Sequence, residues 1–247
     1  GTLNLNAALS SASDVILSST AGGINLNAPV STRFGSISIA ADQLTISNSV
    51  RVLDANRSDT AVDIALTARN GAMTLRGPIT AVNGILLDQG GAPGTGSITG
   101  PSRLIADRLE IDAEGAVDLL TAVREITGSA RGGLTINEQD DLFVNDFSAG
   151  GRHVRLTANG YDRNAVDADG KIVKDENGAT VMVPALRANV LDVSEVVASA
   201  PNGSIQFFVN TTSDIALGNL AGIVARSASS MSAAGSVSIT TSAGGIT

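Results

Sequence analysis

Apolar residues along this chain fall two apart, in short runs closed by glycine or a small polar residue. Leu3/Leu5, Ile24/Leu26, Ile37/Ile39, Leu44/Ile46, Ile64/Leu66, Leu109/Ile111, Leu134/Ile136, Leu142/Val144, Val154/Leu156 and Leu191/Val193 all obey the rule. A period of two is that of a strand with one buried face. The Gly, Asn, Asp and Ser residues between runs supply tight turns. Helical spacing is rare; it can be drawn over Ala116–Ile126, where the same residues also read as strand, corner, strand, and strand is preferred.

The runs belong to a recurring phrase, a small turn followed by apolar–x–apolar. Gly1-Thr-Leu-Asn-Leu-Asn-Ala7 returns as Gly22-Gly-Ile-Asn-Leu-Asn-Ala28, with looser copies at Gly35, Gly71, Asp107, Gly132, Gly203 and Gly235. Similar phrases recur every 8 to 13 residues and the closest pair lies about 20 apart, the spacing of a solenoid coil with two or three strands. Stacked coils pair in parallel without a helical crossover, because one turn of the coil is the connection. Leu and Ile then form inner ladders, and Asn4 and Asn6 stack on Asn25 and Asn27 as a short amide ladder.

The predicted fold is all-β: a right-handed parallel β-helix (β-solenoid) with one β-hairpin excursion. About 220 residues at about 20 per coil give roughly 11 coils and a rod of about 50 Å. An antiparallel sandwich is the rival, but sandwiches rarely repeat a phrase so closely and use more aromatics than the 2% present here.

One segment breaks the pattern. From Tyr161 to Leu186 charge rises, and Asp167-Ala-Asp-Gly170 and Asp175-Glu-Asn-Gly178 separate short apolar runs, which is a hairpin signal. The chain therefore divides into coils over 1–160, a hairpin-like insertion over 161–186 projecting from the rod, and coils over 187–247 continuing the same solenoid. The insertion offers the candidate contact surface: Asp167, Asp169, Lys171, Lys174, Asp175 and Glu176. Both termini fall inside a repeat, which predicts a longer natural object or copies stacking end to end.

Composition narrows the chemistry. A net charge of −8 argues against nucleic acid, which needs clustered Lys and Arg, and against basic-patch membrane binding. Apolar runs are too short to insert into a membrane. With no cysteine, disulfides and thiolate chemistry are absent.

The single histidine, His153, alternates with Val154 and Leu156 and so reads as a solvated outward residue. Gly94-Thr-Gly-Ser-Ile-Thr-Gly100 misses a dinucleotide fingerprint and reads as a flexible corner. No catalytic residue and no cofactor are assigned. Calcium is the one ion with a physical basis, at the carboxylates of Asp167–Gly178, although an EF-hand's glycine and terminal glutamate are out of place there. Asp112 and Glu114, two apart and outward, are the best carboxylate pair for a β-helical carbohydrate-active enzyme, yet aromatic sugar platforms are scarce.

With these repeats the chain resembles the shaft of filamentous haemagglutinin-type adhesins, the exoproteins of bacterial two-partner secretion. Their repeats are of this length, rich in Gly, Ala, Ser, Thr and Asn with alternating Val, Ile and Leu, and the likeness covers all but the insertion. The family's Asn-Pro-Asn-Gly secretion motif is not matched; Ala200-Pro-Asn-Gly203 lacks the first Asn and lies far downstream. The resemblance implies export unfolded, folding outside the cell, and display of binding regions from the bacterial surface. The expected function is a non-enzymatic shaft segment of a large extracellular adhesin, whose partners are host or sister-cell proteins or glycans. The alternatives are a surface filament built by end-to-end coil association, and the enzyme just described.

Overall fold

In the computed structural model, which describes residues 1–54, 62–210, 230–233 and 237–241, the chain winds into ten stacked coils. The repeat predicted to break off over 242–247 lies outside the described residues. Every described pairing between coils is parallel, which excludes the sandwich. Coils number ten rather than eleven because some are longer than the repeat that predicted them: Leu44 pairs with Met73, and Met73 with Ile98.

The first four coils are three-stranded. They comprise β1 (Leu3–Leu5), β2 (Leu9–Ser11) and β3 (Val15–Ser18); β4 (Gly23–Leu26), β5 (Val30–Thr32) and β6 (Ile37–Ala41); β7 (Gln43–Ile46), β8 (Val50–Val52) and β9 (Val62–Ala68); and β10 (Met73–Leu75), β11 (Ile79–Thr80) and β12 (Gly84–Gln89). In β13 (Ser97–Ala113) and β14 (Ala116–Ala130) one strand bends through the corners, so Ala116–Ile126 is strand, as its alternation predicts. At the β14 bend Gly128 has φ +117°, and an added Cβ would collide with the Ile111 carbonyl oxygen. The rest of the rod is β15 (Leu134–Glu138), β16 (Leu142–Ala158), the short excursion strands β17 (Arg163–Asn164) and β18 (Met182–Val183), then β19 (Leu186–Ala200), β20 (Ile205–Asn210), β21 (Ser230–Ala233) and β22 (Val237–Thr241).

Inward residues of each face stack as apolar ladders, two on the first and third faces. On the first, Leu3, Ile24, Leu44, Met73, Ile98, Val117, Leu134, Val154 and Val196 stack in register as the leading ladder. On the third, Val15, Ile37, Ile64, Ile85, Leu109, Ile126, Val144, Ala188 and Phe207 do the same. Nearly all are sealed from solvent. Outside, Asn25 Nδ2 donates to Asn4 Oδ1 and Asn27 Nδ2 to Asn6 Oδ1, each at 2.8 Å, which is the predicted amide ladder.

The second face ends part-way along the rod. Its ladder runs Leu9, Val30, Val50, Ile79, Leu104 and then turns polar at Thr121 and Glu138. From β15 onward two faces remain. Where the second sheet stops, the Val123 N–H has no strand below it, and an unpaired buried N–H is costly. Glu138, buried inside the rod, caps it: Val123 N–H donates to Oε2 at 2.9 Å, while Gln139 and Asp140 N–H donate to Oε1 at 2.7 and 3.1 Å.

Burial pushes the Glu138 carboxyl above its ordinary value of 4.5, and the Val123 N–H and the other donors only partly offset this. A raised folded pKa means that the native state holds this proton more tightly than the unfolded chain does. The stability so conferred is complete below about 4.5 and is lost as pH rises through the folded value.

Two outcomes follow from the core and its cap. Ile126→Ala, beneath Leu109 and above Val144, should lower unfolding stability by about 2–5 kcal/mol in urea titrations, with exchange of amide protons fastest in the flanking coils. Glu138→Gln replaces one of two acceptor oxygens with a donor and should cost about 1–3 kcal/mol. The wild-type dependence on pH from 4.5 upward should be missing from that variant's stability curve.

Candidate functional site: the excursion and the third face

The excursion begins where the chain leaves the eighth coil after Gly160, and Asp162 fixes its base. Ala185 N–H and Ser204 N–H donate to Asp162 Oδ1 at 2.9 and 2.6 Å, and the Ser204 hydroxyl donates to Oδ2 at 2.6 Å. One carboxylate thus ties the start of the excursion to its end and to the coil beyond. Arg163 adds a 2.8 Å ion pair to Asp141. Burial raises the Asp162 carboxyl, but the Ser204 hydroxyl and the two N–H donors outweigh it and hold the group below its ordinary value.

Beyond this base the excursion is two hairpins joined at a three-way junction. β17 and β18 pair antiparallel as the stem. Ala165 N–H then donates to Val181 O, Val173 N–H to Ala165 O and Val181 N–H to Val173 O, at 2.8, 2.8 and 3.0 Å. The three residues stand eight apart and close a ring of hydrogen bonds. Each hairpin turns at an Asp-x-x-Gly unit, with φ of +76° at Gly170 and +80° at Gly178.

The six residues predicted as a contact surface all lie here, exposed, but in two roles. Asp167 Oδ1 accepts from Asp169 and Lys171 N–H at 3.0 and 2.9 Å, and Asp175 Oδ1 from Asn177 and Ala179 N–H at 2.9 and 2.8 Å. Those two carboxylates make the turns. Asp169, Lys171, Lys174 and Glu176 project as a surface of mixed charge, joined by exposed Val166, Ile172 and Met182. Among the described residues no three His, Asp or Glu side chains converge in a metal-holding group.

The other predicted residues separate. His153 is half-buried and outward on β16, in register with Glu195. The Gly94–Gly100 segment is not a flexible corner throughout: its first half is a turn, but Ser97 onward is paired strand in β13, because Ile98 fits the ladder between Met73 and Val117. Asp112 and Glu114 do not act together. Glu114 lies past the end of β13 and pairs with Arg131 at 3.2 Å.

Asp112 instead stacks directly on Asp88 of the preceding coil, and Ser129 Oγ donates to it at 2.9 Å. Burial, followed by the charge of Asp112, raises the Asp88 carboxyl. This partnership was invisible in sequence because the two residues are 24 positions apart. Recognising it requires the coil register.

The third face carries a second column that sequence reasoning missed. Gly84, Arg108, Glu125, Phe143, Arg187 and Gln206 stack in successive coils, and the Arg187 guanidinium lies 4.7 Å from the Phe143 ring centre. In the neighbouring outward column Asn189 stacks on Phe208. The equivalent column of the first face reads Asn4, Asn25, Thr45, Thr74 and Thr99.

No family model, curated protein or solved structure matches the chain. No helix among the described residues is long and apolar enough to cross a membrane.

Asp162→Ala removes all three contacts at the base of the excursion. Its cost should be about 1–2 kcal/mol, the lower part of the range for hydrogen bonds to a charged group because the site is half-exposed. Faster amide exchange at Ala185 and Ser204 is the expected signature. Since a depressed pKa stabilises the fold above the unfolded carboxylate value, variant and wild type should converge as pH falls through the folded value.

Proposed function

We propose that this chain is a non-enzymatic shaft segment of a large extracellular adhesin, holding its excursion and its third face away from a bacterial surface. The observation that carries the reading is the parallel pairing of strands through ten stacked coils, which suits a stiff spacer, with a lateral projection at the excursion. Surface chemistry supports it. Over its first five coils the first face presents stacked Asn and Thr, which hydrate well.

The core also suits export as an unfolded chain. It holds no cysteine to oxidise prematurely, and coils can add one at a time to a growing stack because each contacts mainly its neighbours. The excursion interrupts this winding without ending it, since β16 before it and β19 after it still pair in parallel, with shifts of register along the way.

Immunogold labelling of intact cells that make the protein, with antibody raised against residues 161–186, tests the reading. Label on the outer surface is expected, and the same antibody should lower adherence to host or sister cells. Label confined to the cell interior would sink the proposal.

A further inference from the structure

Three shallow depressions lie along the third face. The first is lined by Arg108, Glu110 and Glu125, the second by Glu125, Phe143, Arg163 and Arg187, and the third by Phe143, Arg187, Asn189, Gln206 and Phe208. Each shares a residue with the next, so they form one groove. It follows the column from Gly84 to Gln206, which is five coil spacings and therefore about 24 Å along the rod. A groove of that length, open at the side and crossing the strands, fits an extended polymer.

Its chemistry selects the kind of polymer. The backbone beneath is already paired between coils, so a peptide strand finds no free edge to extend. What the groove offers is side chains: the rings of Phe143 and Phe208, the amides of Asn189 and Gln206, and the guanidinium of Arg187. Ring faces stack on sugar C–H faces and amides pair with hydroxyls.

Asn189 sharpens the point. Its Nδ2 donates to Asp146 Oδ1, which fixes the amide in the wall of the groove. Arg187 supplies the charge preference. Arg124 pairs with Asp107 and Arg163 with Asp141, whereas Arg187 makes no ion pair among the described residues and is held flat over Phe143. A planar guanidinium so placed matches a carboxylate with two parallel hydrogen bonds.

We propose that this groove binds a linear acidic polysaccharide of the uronate class, with one carboxylate on Arg187, which Phe143 supports from beneath, and a sugar ring against Phe208. The inference rests on the reading that the rod faces the outside of the cell. It assigns the rod a binding surface of its own, beside the excursion.

Affinity electrophoresis of the whole chain through gels containing polygalacturonate, hyaluronan or neutral dextran tests it. Retardation by at least one polyuronate and not by dextran is expected, weakening as salt is raised. Arg187→Gln and Phe208→Ala should each weaken binding about tenfold or more, as expected for loss of a charge-assisted contact or a stacking platform. Arg51→Gln, outward on the second face, should leave it unchanged. Both altered third-face side chains lie outside the core, and circular dichroism should show wild-type strand content.

No retardation by either polyuronate, equal retardation by dextran, or full binding by Arg187→Gln would overturn the assignment. So would an equal loss in Arg51→Gln, which marks binding as unspecific charge attraction. The two proposals fail separately. Surface labelling without polyuronate binding removes the groove, while polyuronate binding by a protein confined inside cells removes the adhesin reading.

Discussion

Every part of this rod depends on satisfying backbone N–H groups at the corners of the coils. Along the faces the problem solves itself, because parallel strands of successive coils pair residue for residue. At the corners backbone pairing continues for some N–H groups, such as Asn27 to Leu5 and Ser47 to Leu26, and fails for others. Here the chain places a side-chain oxygen under the exposed amide: Asp14 accepts from Ser36 N–H, Asp42 from Gly22, Asp63 from Val82 and Asn83, Gln89 from Gly115, Glu138 from Val123, and Asp162 from Ala185 and Ser204. The net charge of −8 is therefore partly structural. These acids are coil-to-coil fasteners before they are surface charge.

This division explains what could be read in advance. Period-two alternation is a property of a single strand, so the strands, the inner ladders and the Asn4–Asn25 contact were all legible from neighbouring residues and one repeat distance. The hairpin turns at Asp167 and Asp175 were legible too, because an Asp-x-x-Gly turn is local. The corner caps were not. Their partners, the N–H groups of Val82, Gly115 and Val123, lie in other coils and are found only when coil lengths are known. Gln89 and Glu138 each continue the inward phase of an apolar alternation, after Ile85 and Leu87 and after Leu134 and Ile136, and that was the available signal.

Coil length also hid the third face. Phe143 and Arg187 stand 44 positions apart with the whole excursion between them, yet the two side chains are adjacent in space. A fixed period of about 20 places neither over the other. The same irregularity misassigned the partner of Asp112, which is Asp88 and not Glu114. Variation in coil length thus does more than lengthen loops: it selects which outward residues meet. The first face keeps an amide and hydroxyl column over its first five coils before Asp118 and Arg155 enter it, and the third gathers arginine, phenylalanine and stacked acids.

The Asp162 tie has a wider meaning for how such a rod can vary. Because the excursion leaves and rejoins the solenoid at one carboxylate-held point, β16 and β19 still stack in parallel across it. The eight-residue equivalence of Ala165, Val173 and Val181 shows the content of that interval to be a tandem of a small unit. Asp162 is thereby a graft port. The interval it closes can change in length or sequence while the stacked coils on either side keep their pairing.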